Sequence, residues 1–171
     1  MSDRTRTAVV VGNPKPNSRT LAAARTLAIS LSGHEPDLVV DLATLGPALL
    51  DWSDAAVGEL VTRVGSADLV VVASPTYKGT YTGLLKLFLD RFAGGTGLPG
   101  VAVPLMLGAG SAHSLAAELT LRPVLTELGA TVPGRGLYVV DSRYDDPDAY
   151  ADWLAVTRPQ VQRLIAAAVA A

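Results

Sequence analysis

A chain of 171 residues is long enough to bury a core as one domain over residues 1–171, without disulfides, metal or a second lobe. Fourteen Lys and Arg against sixteen Asp and Glu leave a formal charge of −2, which lacks the basic excess that phosphate-backbone binding demands and sets nucleic acid aside. The absence of Cys excludes disulfides, thiolate catalysis and Cys-ligated metal. Hydrophobic residues make up 49% and charged residues only 18%, more apolar surface than a monomer tolerates, so a homo-oligomer is expected. The start, Met1 to Thr7, is polar and has no signal-peptide core, and no apolar run reaches the length of a membrane span. The expectation is a soluble, cytoplasmic protein with no membrane partner.

Five short runs rich in Val and Leu, residues 7–12, 37–42, 68–74, 101–107 and 136–141, are continuous rather than alternating, as in parallel strands covered on both faces. Between them lie helical patterns over 19–31, 53–64, 81–92, 111–128 and 147–168, ending in an Ala-rich tail read as a fraying helix end. Strict β-α alternation without a linker describes a doubly wound α/β sheet of five parallel strands. Periodicity leaves both common strand orders open.

In such a sheet ligands bind beyond the carboxyl ends of the strands, so the loops after the first, third and fourth strands are the informative ones. The first reads GNPKPNSRT over residues 12–20 and matches neither glycine-rich nucleotide fingerprint. It offers a helix start, hydroxyls at Ser18 and Thr20, and cations at Lys15 and Arg19, which suit a phosphate monoester. The same residues also describe an ordinary loop capped by Ser18. The second loop places Pro75, Thr76, Tyr77, Lys78 and Gly79 before the third helix. That is either a flat wall with backbone donors for a ring or a packed turn. The third holds Gly108, Gly110, Ser111 and His113, small residues that admit a ring edge. His113 reads as a helix-start packing or capping residue rather than a proton donor, and no catalytic residue is assigned.

Together the three loops, with SPTYKGTYTGLLKLFLD from residue 74 and PLMLGAGSAHSLAAELTLRPVLTELGA from residue 104, resemble the NADPH-dependent FMN reductase family, in particular the branch serving sulfonate monooxygenases. The resemblance implies a flavodoxin-like three-layer α/β/α sandwich with strand order 2-1-3-4-5. It implies FMN as flavin, NADPH or NADH as hydride donor, a homotetramer, and a partner monooxygenase that consumes reduced flavin. It places the FMN phosphate on Ser18 and Thr20 with Asn13 and Lys15, Pro75 to Gly79 along the isoalloxazine, and Gly108, Gly110, Ser111 and His113 on its other edge. The first loop departs from the family's usual Gly-Ser-Pro-Arg, with Asn13 and Lys15 in place of Ser and Arg. Lysine lacks the bidentate geometry of arginine.

Two rivals follow from the same chemistry: a quinone or azo reductase that keeps its FMN, and a flavodoxin-type electron carrier, against which a charge of −2 speaks. Lys86 and Asp90 read as a solvated or interface pair, residues 145–148 as a turn and N-cap rather than a metal site, and Trp52 and Trp153 as packing residues. In the fourth helix, 100° steps put Ala117, Leu121, Val124 and Leu128 toward the sheet and Leu115 and Leu119 away from it. Pro123 deprives the Leu119 carbonyl of its helical partner and should bend or bulge that helix.

Overall fold

The structure, a computed structural model, describes residues 4–169; Met1 to Asp3 and the tail residues Ala170 and Ala171 lie outside the described residues. The five strands are β1 (Thr7–Val11), β2 (Leu38–Asp41), β3 (Leu69–Pro75), β4 (Val101–Gly108) and β5 (Leu137–Val140). They form one parallel sheet in the order β2-β1-β3-β4-β5, the order the family resemblance implies. β1, β3 and β4 are buried along their whole length, which is why they read as unbroken apolar runs.

Successive residues of each strand point to opposite faces, so the sheet divides the core into two layers. On one face Val9, Val11, Val71 and Leu105 pack against Ala24, Leu27 and Leu31 of α1 (Arg19–Ser32) and Val161 and Ile165 of α5 (Asp148–Val169). On the other, Val10, Val70, Val72 and Met106 pack against α2 (Ala55–Gly65), α3 (Gly83–Leu89) and the segment leading into α4 (Arg122–Glu127). The result is the three-layer α/β/α sandwich.

The third helix begins at Gly83, two residues later than its periodicity predicts, because Thr82 serves as its N-cap and accepts the Leu85 N–H. The predicted fourth helix is broken. A single 3-10 turn covers Ser111–His113, a π-helical turn covers Ala117–Leu121, and only then does α4 form. The Arg122 N–H reaches back five residues to the Ala117 carbonyl, directly before Pro123, so the bulge sits where the missing proline N–H calls for one. The extra residue advances the helix phase. The residues fully buried against the sheet are Ala117, Leu121, Leu125 and Leu128, and Val124, assigned to that face by uniform 100° steps, is only partly buried.

The two tryptophans part company. Trp153 packs against the core and donates from its indole to the Arg135 carbonyl at 2.7 Å. Trp52, read from the sequence as a packing residue, is 70% exposed on the loop before α2 with the Arg91 guanidinium over its ring. The Lys86–Asp90 pair is an exposed ion pair, as expected. Asp146 accepts from Arg143 and from the Asp148 N–H at the start of α5, and no metal-binding group forms among the described residues.

The phase shift is directly testable. Leu125→Ala should destabilise the protein by about 2–5 kcal/mol and Val124→Ala by clearly less, measured by urea denaturation. Equal losses at the two positions would contradict the π turn.

Candidate functional site

The carboxyl ends of β1, β3 and β4 meet at the point where the chain's strand order reverses, with the predicted loops above them. The Gly12 N–H continues the ladder to the Ala73 carbonyl at 2.8 Å. A Cβ on Gly12 would stand 2.4 Å from Leu85 Cβ, so only glycine lets α3 approach β1 this closely. Thr82 then joins the first two loops. Its hydroxyl donates to the Gly12 carbonyl at 2.5 Å and accepts the Leu85 N–H at 3.1 Å, while its own N–H donates to Ser74 Oγ at 3.0 Å. Neither Thr82 nor Ser74 was singled out in the sequence, because each reads as an ordinary cap or strand-end residue.

In the first loop Ser18 caps α1, accepting the Leu21 N–H at 3.2 Å, as expected. Asn13 folds the loop by accepting the Lys15 N–H at 2.9 Å and donating to Thr20 Oγ1 at 3.0 Å. Thr20 is buried beneath the loop, whereas Lys15 is exposed. Arg19, counted in the sequence among the phosphate-ready cations, turns away: it pairs with Asp141 at 2.6 Å and lies over the Tyr144 ring. Asn17 adopts φ 52°, and its N–H donates to Asp41 Oδ2 at 3.0 Å.

The second loop is a tight hairpin. Tyr77 and Thr80 exchange backbone bonds in both directions, and Lys78 (φ 55°) and Gly79 (φ 84°) both take the positive φ that such a two-residue turn needs. Among the described residues Asn17 and Lys78 are the non-glycine residues with positive φ, one in each of these two loops. Tyr77 is 53% exposed, a flat aromatic surface at the cleft. The Thr76 hydroxyl is buried and has no hydrogen-bond partner.

The third loop is fixed from β5. Tyr138 donates its hydroxyl to the Gly110 carbonyl at 2.6 Å, and burial pushes that phenol above its ordinary range. A Cβ on Gly108 would fall 2.0 Å from the Tyr138 oxygen and displace that hydroxyl, so glycine is what lets Tyr138 lie over the end of β4. Around Gly110 the space is open, and Ser111 and His113 are exposed. The His113 ring lies along Gly79, its Cδ2 at 3.7 Å from where a Cβ would project, so the second and third loops touch. A cavity of about 330 Å³ runs from Gly79 along Ala112, His113, Leu115, Leu119 and Thr120. Of the predicted residues Ser18, Thr20, Pro75 and Gly108 are buried, and the others are partly or fully exposed.

The loops together offer a capped helix start, an exposed lysine, a buried Thr76 hydroxyl without a partner, an open glycine edge and an exposed aromatic ring. The fold is that of a flavodoxin-like α/β protein, with the three loops gathered at the switch point of its sheet.

The chain matches the family model described as NADPH-dependent FMN reductase over residues 5–145, and it belongs to that family. It is 29% identical over 145 residues to the FMN reductase (NADPH) of Escherichia coli, covering 82% of this chain and 76% of the relative. An FMN-dependent NADPH-azoreductase of Staphylococcus haemolyticus is 34% identical over 93 residues, 48% of this chain and 50% of that one. Among solved structures, the apo form of an NADH:FMN oxidoreductase superposes with a TM-score of 0.80 at 31% identity, covering 95% of this chain and 89% of the other.

Removing the tie between the first two loops should weaken the whole edge. Thr82→Ala leaves the Gly12 carbonyl and Leu85 N–H unpaired and is expected to lose roughly 2–4 kcal/mol of stability, with Thr82→Ser within about 1 kcal/mol of wild type. Thermal and denaturant unfolding of the two variants checks this.

Proposed function

We propose that the protein is a single FMN-binding domain that carries hydride from NADPH or NADH to FMN and delivers the reduced flavin as a product. The observation that carries this reading is the gathering, beyond the carboxyl ends of β1, β3 and β4, of a capped helix start, an open glycine edge and an exposed aromatic ring. Membership of the NADPH-dependent FMN reductase family supports it. When bound, the flavin supplies the hydride-accepting chemistry, and the protein's share is binding, orientation and electrostatics.

In this reading Ser18, Asn13 and Lys15, with the first amides of α1 and Thr20 beneath them, hold the phosphate. Pro75, Thr76, Tyr77, Lys78 and Gly79 line the isoalloxazine, and Gly108, Gly110, Ser111 and His113 border its other edge. The helix start and the loop amides favour negative charge on the reduced ring. No side chain is asked to move a proton; His113 is exposed and packs along Gly79. Reduced flavin released in the cytoplasm is then a substrate for a flavin-dependent monooxygenase. The likeness to an azoreductase favours a second reading, in which FMN stays bound and an azo dye or quinone takes the electrons.

The oligomer belongs to the same reading. Leu115 and Leu119 are 51% and 66% exposed on the broken fourth helix, beside the cavity that reaches Gly79. Burying each against another copy contributes roughly 1.5–3 kcal/mol, which repeated by symmetry sustains a homotetramer.

Two experiments test these statements. NADPH and NADH oxidation is followed with FMN, FAD, quinones and azo dyes for wild type and for Ser18→Asp. Turnover with free FMN is expected, and the added carboxylate should weaken FMN binding at least about tenfold in a folded variant. Turnover confined to dyes or quinones with retained flavin selects the second reading, and no oxidation with any acceptor overturns both. Light scattering should find a tetramer that Leu115→Glu/Leu119→Glu dissociates; a monomeric wild type removes the interface.

A further inference from the structure

Asp41 ends β2 in register with Val11, the last residue of β1, and so stands at the base of the first loop. Its Oδ2 accepts the Asn17 N–H at 3.0 Å. Its Oδ1 is buried and has no hydrogen-bond partner. The ion pairs among the described residues engage Asp37, Asp68, Asp90, Asp141, Asp146, Glu35 and Glu118 with arginines or a lysine, and Asp41 is in none of them. The residue it holds, Asn17, is in the left-handed region at φ 52° and directly precedes Ser18, the cap of α1.

These facts separate two roles. Holding a backbone N–H needs an acceptor but not a charge, and an amide or hydroxyl oxygen would serve Asn17 as well. A carboxylate with one oxygen buried and unpaired is an expensive way to make that bond. The charge therefore acts on something other than Asn17. Two residues further along the chain α1 begins at Arg19, the positive end of the helix dipole, where an anion would sit. A fixed negative charge at that distance, shielded from solvent on one side, opposes the binding of a phosphate dianion.

We propose that Asp41 is a positioning residue that sets how readily FMN exchanges: its hydrogen bond shapes the phosphate loop while its unpaired charge weakens the loop's hold on the phosphate. The proposal rests on the reading that the first loop takes the FMN phosphate. It accounts for a flavin handled as a substrate that leaves, rather than as a resident group, without any change in the ring's surroundings.

The test titrates the full chain with FMN and with riboflavin, which has the ring but no phosphate, for wild type, Asp41→Asn and Asp41→Ala. Asp41→Asn keeps the acceptor and removes the charge. It should bind FMN at least about fivefold more tightly, with a matching fall in KM for FMN, slower flavin release, and unchanged riboflavin affinity. That gain should shrink as salt rises. Asp41→Ala, which frees Asn17, should bind FMN less tightly than Asp41→Asn; Asp41→Ser, a second neutral acceptor, should shift in the same direction as Asp41→Asn. FMN affinity that is unchanged or weaker in folded Asp41→Asn, in a wild type that prefers FMN to riboflavin, overturns the role of Asp41 alone. A wild type that binds FMN and riboflavin equally overturns the phosphate-loop reading and this proposal together.

Discussion

One buried hydroxyl holds the working edge of this sheet together. Thr82 donates to the carbonyl of Gly12 at the end of β1, accepts the Leu85 amide in the first turn of α3, and through its own N–H reaches Ser74 at the end of β3. All three partners are buried or main-chain groups that water does not reach, so each bond replaces a desolvation penalty rather than a water contact. The bonds also fix distances. With the Gly12 carbonyl and Leu85 amide anchored to one oxygen, the first loop and the start of α3 cannot separate, and the glycine at position 12 is what permits that closeness. The first and second loops stand at a set spacing because this tie sits between them.

The fourth connection solves a different problem. The chain leaves β4 through small residues that keep the cleft open, yet must cover the sheet again with Leu121 and Leu125. A regular helix from Ser111 would carry one phase throughout. The π turn before Pro123 adds one residue, so the stretch near the cleft can present Leu115 and Leu119 outward while the stretch beyond it still buries Leu125. Arg122 secures the junction, pairing with Glu118 and donating to the carbonyl of Gly134, while Glu118 accepts the Gly136 N–H at 2.7 Å. What the bulge adds is the inward turn of Leu125 beyond it.

Much of this was legible in the sequence and some was not, for identifiable reasons. Continuous Val-rich runs give parallel strands directly, and Ser18 before a helical pattern gives its cap. Pro123 announces the bulge, because the missing N–H is a property of the residue itself. Strand order came from the family resemblance, since periodicity carries no information about which strands are neighbours. The buried phase of α4 was misread at Val124 because a uniform 100° step presumes no inserted residue. Trp52 was misplaced because size and apolarity predict burial on average, whereas here an arginine covers one face of the ring in solvent. Thr82, Tyr138 and Asp41 were invisible for a shared reason: each acts on a loop distant in sequence, and only the closed sheet brings donor and acceptor together.

Two non-glycine residues among those described take positive φ, and each lies in one of the loops above the sheet. A left-handed residue costs roughly 1 kcal/mol or more, least for Asn and more for Lys, so neither Asn17 nor Lys78 would stay there unaided. Each is held from outside. Asp41 takes the Asn17 amide, and the paired backbone bonds of Tyr77 and Thr80 close the turn over Lys78. In both loops the strain is met by hydrogen bonds that the fold itself supplies. Ser18 and Tyr77, the chain neighbours of the two strained residues, are thereby placed by the sheet.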